Sequence, residues 1–186
     1  MTDDISTTPF SDVYESFLSK VTSDMYMELT EVETYKLLEE LLITSIAKFE
    51  FPRVNLFDYV KGTESEFELD SYGNIVPTNA EYHVGYFNAI LTAEEINILS
   101  TYMIVEWIGQ QLASVENIRM KFSGTDFKFT SQANHMQKLL ALKKDYEREG
   151  FHLQRLYKRR KLNEDGIQVS TFDCLATPPK RGPRPW

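Results

Sequence analysis

Three histidines, one cysteine and 28 Asp and Glu residues are the side chains through which this chain could carry out acid–base, nucleophilic or metal chemistry. His83, His135 and His152 fall in three separate segments with no HExxH or similar ligand spacing around them, so no metal centre is expected. His135 and His152 read instead as solvated or singly hydrogen-bonded imidazoles on helix flanks. Cys174, the only cysteine, excludes an intramolecular disulfide or a cysteine-rich zinc site and fits a reducing compartment. With no base beside it, it reads as a small residue rather than a reactive thiol. The glycine-rich phosphate cradles and the GxSxG nucleophile turn are missing. Glu94 and Glu95 are accounted for by helix capping, and Glu31, Glu33, Glu39 and Glu40 by a solvated helix face. No catalytic residue and no cofactor is expected, and the chain reads as non-enzymatic.

The chemistry that remains is that of contact. Lys143, Lys144, Arg148, Arg155, Lys158, Arg159, Arg160 and Lys161 load one stretch with positive charge. Cations near a helix C-terminus gain from the macrodipole, but four in succession, Lys158 to Lys161, repel each other by more than that gain. A negatively charged partner is implied, either nucleic-acid phosphate or the acidic part of another copy. Further on, Pro178, Pro179, Lys180, Arg181 and Arg184 lead to Trp186, a proline-spaced cationic segment of the kind that inserts into a partner as an extended arm.

Charge is divided along the chain. Residues 1–130 hold 8 Lys and Arg against 22 Asp and Glu, net −14, whereas residues 131–186 hold 12 against 6, net +6. The overall −8 argues against a protein that coats nucleic acid with its whole surface. The division favours a head-to-tail contact between copies and disfavours body-to-body contact.

Helices must position these groups. Ser11 to Val21 carries Val13, Phe17 and Val21 at helical spacing, with Ser11 as cap. Thr30 and Glu33 form a capping box before the stripe Tyr35, Leu38, Leu42, Ile46 and Phe49, which must stop before Pro52. Thr92 and Glu95 form a second box, opening the most apolar helix, to about Val115 or Met120, with Ile96, Leu99, Met103 and Trp107 on one seam. A last helix is expected from Ser131 to Lys161, roughly 46 Å long at ~1.5 Å per residue, long enough to project, with Gly150 marking a bend or break. Between Phe51 and Leu91 the helical pattern fails. A hairpin around Phe67 to Val76, a strand through Tyr82, Val84 and Tyr86, and a short strand in Ile167 to Phe172 are expected. The fold class is therefore mainly α: a bundle of about four helices with a small β-hairpin insertion and an extended C-terminal arm. Residues 1–162 form the helical domain, with the insertion at about 51–91, and residues 163–186 form the arm.

At 186 residues and 42% hydrophobic, the chain can bury a core. Its strongest apolar run, INILSTYMIV, ends at Glu106 after ten residues, short of the ~20 a membrane span needs, and the acidic N-terminus does not read as a signal peptide. No membrane partner is expected, and an intracellular location or release with a host's contents fits.

The phrases LLITSIAKFEFPR, FNAILTAEEINILSTYMIVEWIGQQL and GTDFKFTSQANHMQKLLALKKDYEREGFHLQRLY, including Asp126-Phe127-Lys128 with Ser131-Gln132-Ala133, resemble the head–tail connector (adaptor or neck) proteins of tailed bacteriophages. The resemblance spans Leu37 to Tyr157. It implies a non-enzymatic virion protein that forms a homo-oligomeric ring, dodecameric in that family, in the phage neck and assembles in the host cytoplasm. Such a ring binds the portal protein and a stopper or tail protein, and DNA passes through its channel. On this resemblance the segment after Asn163 is the portal-docking arm, and the basic residues Arg155, Lys158, Arg159, Arg160 and Lys161 face the portal, a neighbour or the DNA channel. The Pro52 to Leu91 segment and the region after Gly150 are both long for a minimal adaptor, which implies extra inter-subunit or decoration contacts, or another ring protein of the neck such as a stopper. The alternative is a helical, regulatory nucleic-acid-binding protein using Lys143 to Lys161.

Overall fold

The computed structural model describes residues 7–21, 29–64, 68–69, 75–76, 82–121, 129–162 and 168–170. In chain order the elements are β1 (Thr8–Pro9), α1 (Phe10–Leu18), α2 (Glu31–Ile46), β2 (Tyr59–Val60), β3 (Thr63–Glu64), β4 (Glu68–Leu69), β5 (Ile75–Val76), β6 (Tyr82–His83), β7 (Tyr86–Phe87), α3 (Ala93–Lys121), α4 (Phe129–Arg159), β8 (Arg160–Leu162) and β9 (Gln168–Ser170). The fold is mainly α with a small antiparallel sheet.

Both capping boxes form. The Glu33 amide donates to Thr30 Oγ1 at 3.3 Å, and the Thr30 amide at 3.0 Å and hydroxyl at 2.8 Å donate to Glu33 Oε2, holding the Glu33 carboxyl below its ordinary range. At α3 the Thr92 amide donates to Glu95 Oε2 at 2.8 Å, and the Glu95 amide returns the bond to Thr92 Oγ1 at 3.4 Å. Helix α1 differs from the sequence expectation. It starts at Phe10 behind Pro9, without a side-chain cap, and ends at Leu18. Helix α2 ends at Ile46, and the tighter bonds Lys48 N to Ser45 O and Phe49 N to Ile46 O close it before Phe49.

α3 is the centre of the core. Every residue from Ile98 to Val105 is buried, Ser100 and Thr101 included, as expected of a helix packed on all sides. α1 reaches it through Ser16, whose hydroxyl donates to Ser100 Oγ at 2.9 Å, and Lys20, whose ammonium donates to Asn97 Oδ1 at 2.7 Å and Ser100 Oγ at 2.8 Å. Lys48, just after α2, pairs with Glu106. α4 runs antiparallel along the remaining side. Tyr157 meets Glu95, Gly150 meets Tyr102, and Lys143 meets Gly109, so each seven residues forward on α3 are matched by seven back on α4. With 29 and 31 residues the two helices have nearly equal lengths, and they continue together past Ile108, the last buried residue of α3 among the described ones.

Gly150 does not break α4, which runs unbroken from Phe129 to Arg159. It is buried, and a Cβ there would lie 2.8 Å from Tyr102 Cζ. The glycine is a close-approach site for two helices.

The insertion is a ribbon of two-residue ladders. β7 is flanked antiparallel by β1 and β2, which places Phe87 between Thr8 and Tyr59 on the core side and Tyr86 between Pro9 and Val60 on the other. β6 pairs with β3, so the strand expected through Tyr82 and Tyr86 is divided at Val84–Gly85 between two partners. At Gly85 a Cβ would meet Val60 O at 2.4 Å, so only glycine lets the two backbones approach this closely. The expected hairpin is present within the chain as Glu68↔Val76 and Leu69↔Ile75. The expected C-terminal strand is β9, and it pairs with β8.

Two helical glycines should respond with opposite signs to alanine. Gly150→Ala drives a methyl into the Tyr102 ring, whose hydroxyl is held by Gln154, and should destabilise by about 1–3 kcal/mol despite alanine's better helix propensity. Gly109→Ala meets only Lys143 Nζ, at 3.5 Å, and should stabilise by about 0.5–1 kcal/mol. Urea denaturation of the two variants checks both; two shifts of the same sign would contradict this packing.

Candidate functional site

The inward face of α4 is locked by polar groups that leave little freedom in its rotation. Gln154, 8% exposed, accepts from the Glu50 amide at 2.9 Å and donates to Lys48 O at 2.9 Å and to the Tyr102 hydroxyl at 2.6 Å. One turn on, the buried Tyr157 hydroxyl donates to Glu95 Oε1 and accepts from the Arg53 amide at 2.9 Å. The Arg53 guanidinium lies 4.0 Å over the Tyr157 ring and donates to Tyr157 O, a carbonyl that the end of α4 leaves without a helical partner, and to Arg160 O just beyond the helix. The segment after α2 thus closes the C-terminus of α4. Burial, and then the bond to Glu95, push the Tyr157 phenol well above its usual range, so it stays protonated and donating.

This lock turns a different set of side chains outward. Lys144, Arg148, Phe151, Arg155 and Lys158 are all exposed and follow a 4-3-4-3 spacing, one stripe along α4. Phe151, 51% exposed, has two cations on either side along the helix. Of the five residues expected as a basic face, Arg155, Lys158 and Arg159 lie on the last turns of α4 and are exposed. Arg160 and Lys161 have left the helix and belong to β8, and the Lys161 side chain lies outside the described residues. Arg160 turns to the start of α3, where it pairs with Glu94. The Lys158 ammonium sits 4.0 Å from the centre of the Phe51 ring. The repulsion expected along Lys158 to Lys161 is therefore relieved in part within the chain, by a carboxylate and an aromatic face. The arm residues Pro178, Pro179, Lys180, Arg181, Arg184 and Trp186 lie outside the described residues.

His135 and His152 are exposed on α4, as expected, and His83 is exposed in β6. Glu39 departs from its reading as a solvated side chain. It is 9% exposed and accepts from the Gly62 amide at 2.8 Å and the Tyr82 hydroxyl at 3.0 Å, anchoring the ribbon to α2. Tyr35 stacks on Tyr82, with ring centres 5.6 Å apart. The neighbouring Tyr14 hydroxyl is buried with no hydrogen-bond partner among the described residues, and burial, with Glu39 nearby, pushes its phenol upward. Glu39, Arg53 and Gln154 were missed by sequence reasoning because each bonds to segments distant in the chain. The 4-3-4-3 stripe was visible in the letters, but its exposure was not.

Among the described residues, no group of three or more His, Cys, Asp or Glu is placed to hold a metal ion. Nor is any helix among them long and apolar enough to cross a membrane. Comparison with protein-family models, curated proteins and solved structures finds no match to this chain.

Two phenols should separate a working hydroxyl from an idle one. Tyr157→Phe leaves the Glu95 carboxylate and the Arg53 amide short of a partner and should cost about 2–3 kcal/mol, whereas Tyr14→Phe removes an unpartnered hydroxyl and should be neutral or stabilising by up to about 1 kcal/mol. Equal losses in chemical denaturation would show that Tyr157 is not a key partner.

The raised Tyr157 phenol also gives a pH dependence. Its contribution is fully present below the unfolded-state tyrosine value, about 10, and is lost as pH rises from there toward the higher folded value, because the unfolded chain ionises first. Stability measured between pH 8 and 11 should fall, and less steeply in Tyr157→Phe than in the parent.

Proposed function

We propose that this protein is a structural, non-enzymatic adaptor of a tailed-phage neck, forming a homo-oligomeric ring that joins the portal to a stopper or tail protein around the path of DNA. The observation that carries this reading is the outward stripe of four cations around Phe151 on α4, on a chain whose first 130 residues carry net −14. A long helix locked on one face and charged on an exposed flank suits repeated contact between copies, and head-to-tail contacts of opposite charge close into rings where the rotation between copies permits. The resemblance of Leu37 to Tyr157 to the connector proteins supports the same reading and is the basis for a dodecamer. On this proposal the protein resides in the virion neck after assembly in the host cytoplasm. The segment Thr177 to Trp186, with Lys180, Arg181, Arg184 and Trp186, supplies the portal contact.

A second reading, nucleic-acid binding through Lys143 to Lys161, draws on the same stripe, since an exposed aromatic ring among cations can stack a base. Light scattering and electron microscopy with and without the cognate portal protein separate the two. The adaptor reading expects a ring of this chain on the portal, and expects deletion of 177–186 to abolish docking while the thermal transition remains. A chain that stays monomeric, ignores the portal and retards DNA with a steep salt dependence would instead establish the second reading.

A further inference from the structure

The acidic counterpart of the α4 stripe lies on the same molecule. Between α1 and α2 is a groove of about 420 Å³ with Leu18, Leu29, Tyr35 and Leu38 among its apolar walls and Glu15 and Glu31 at its edges. Leu18 is 38% exposed there, and Glu15 and Glu31 are both exposed. Neither carboxylate makes an ion pair among the described residues.

Groove and stripe cannot meet within one chain. α3 meets α4 through Tyr102 and meets α1 through Ser100, and at ~100° per residue these two positions lie about 160° apart around the helix. At the same ~100° per residue the stripe centres about 120° around α4 from Gly150, which faces Tyr102, so it lies on an exposed flank of α4 and does not face α1 across α3. A contact between the two surfaces must therefore be heterologous, the type that builds rings or filaments.

We propose that the Phe151 stripe of one copy docks in the α1–α2 groove of the next, with Phe151 seated among the leucines and Arg148 and Arg155 facing Glu15 and Glu31. This rests on the ring reading above and names its subunit contact. Both halves of the fit are present. The groove supplies apolar surface for the only large apolar side chain of the stripe, and its edge supplies carboxylates for the flanking guanidinium groups. A single-stranded nucleic acid is the weaker match, because such sites stack successive bases on several aromatic rings and this stripe has one.

Sedimentation velocity of the full chain, with and without portal, tests the contact using exposed substitutions whose folding is checked by thermal melting. Phe151→Ala should weaken self-association roughly tenfold or more, as removal of a central aromatic anchor does. Reversing the cations (Arg148→Glu with Arg155→Glu) or the carboxylates (Glu15→Arg with Glu31→Arg) should each abolish assembly, and the combined four-fold variant should recover it. Assembly indifferent to both reversals, or lost in both without recovery when they are combined, overturns this contact while leaving the ring reading intact. A parent chain that never self-associates, with or without portal, overturns both. If the Arg148 and Arg155 reversals then also abolish retardation of a single-stranded oligonucleotide, the stripe is a nucleic-acid site.

Discussion

The structure depends on one buried carboxylate. Glu95 is 1% exposed, and both of its oxygens are used: Oε2 receives the amide and hydroxyl of Thr92, while Oε1 receives the phenol of Tyr157. A charge taken out of water is tolerated only with such compensation, so the start of α3 and the end of α4 are held together. Arg53 adds a third segment by reaching over the Tyr157 ring to Tyr157 O in the last turn of α4 and Arg160 O just beyond it. The side chain that begins the central helix thereby sets the register of its longest neighbour.

That register decides what α4 shows to its surroundings. With Tyr157, Gln154 and Gly150 turned inward, Lys144, Arg148, Phe151, Arg155 and Lys158 are turned outward. The residues just beyond follow another course, because the helix ends at Arg159 and Arg160 is drawn to Glu94. The basic stretch is thus two structures, a helical stripe facing outward and a strand tied back to α3. A cluster that looks uniform in sequence divides because α4 ends at Arg159, where Arg53 donates to Tyr157 O, and the chain continues as β8 paired with β9.

The insertion between α2 and α3 is anchored by the same kind of contact. Glu39 draws Gly62 and Tyr82 onto α2, and Phe87 enters the core from the centre of a three-stranded sheet. For a protein proposed to work by assembly, this division is coherent: polar groups without solvent fix the interior, and the charged side chains of the α4 stripe stay exposed, Arg148 in a solvent-exposed pair with Asp145 at 3.6 Å and Lys158 over the Phe51 ring. The groove between α1 and α2 belongs to the same pattern, since its carboxylates are exposed at the edge of an apolar recess.

Local chemistry was legible in the letters. The capping boxes at Thr30 and Thr92, the apolar helix after Thr92, the long basic helix, the Phe67 to Val76 hairpin and the charge division are properties of neighbouring residues, and adjacent letters determine them through backbone hydrogen bonding and periodicity. Tertiary structure decided the rest. Glu39 reads as solvated until Gly62 and Tyr82 arrive from beyond its helix, Gly150 reads as a break until Tyr102 lies against it, and the two halves of the basic run are told apart only by Glu94 and Phe51. The reason is common to all of these. A helix specifies its own turns, but which of its faces is desolvated depends on partners tens of residues away, and only that choice determines which charges are internal locks and which are surface.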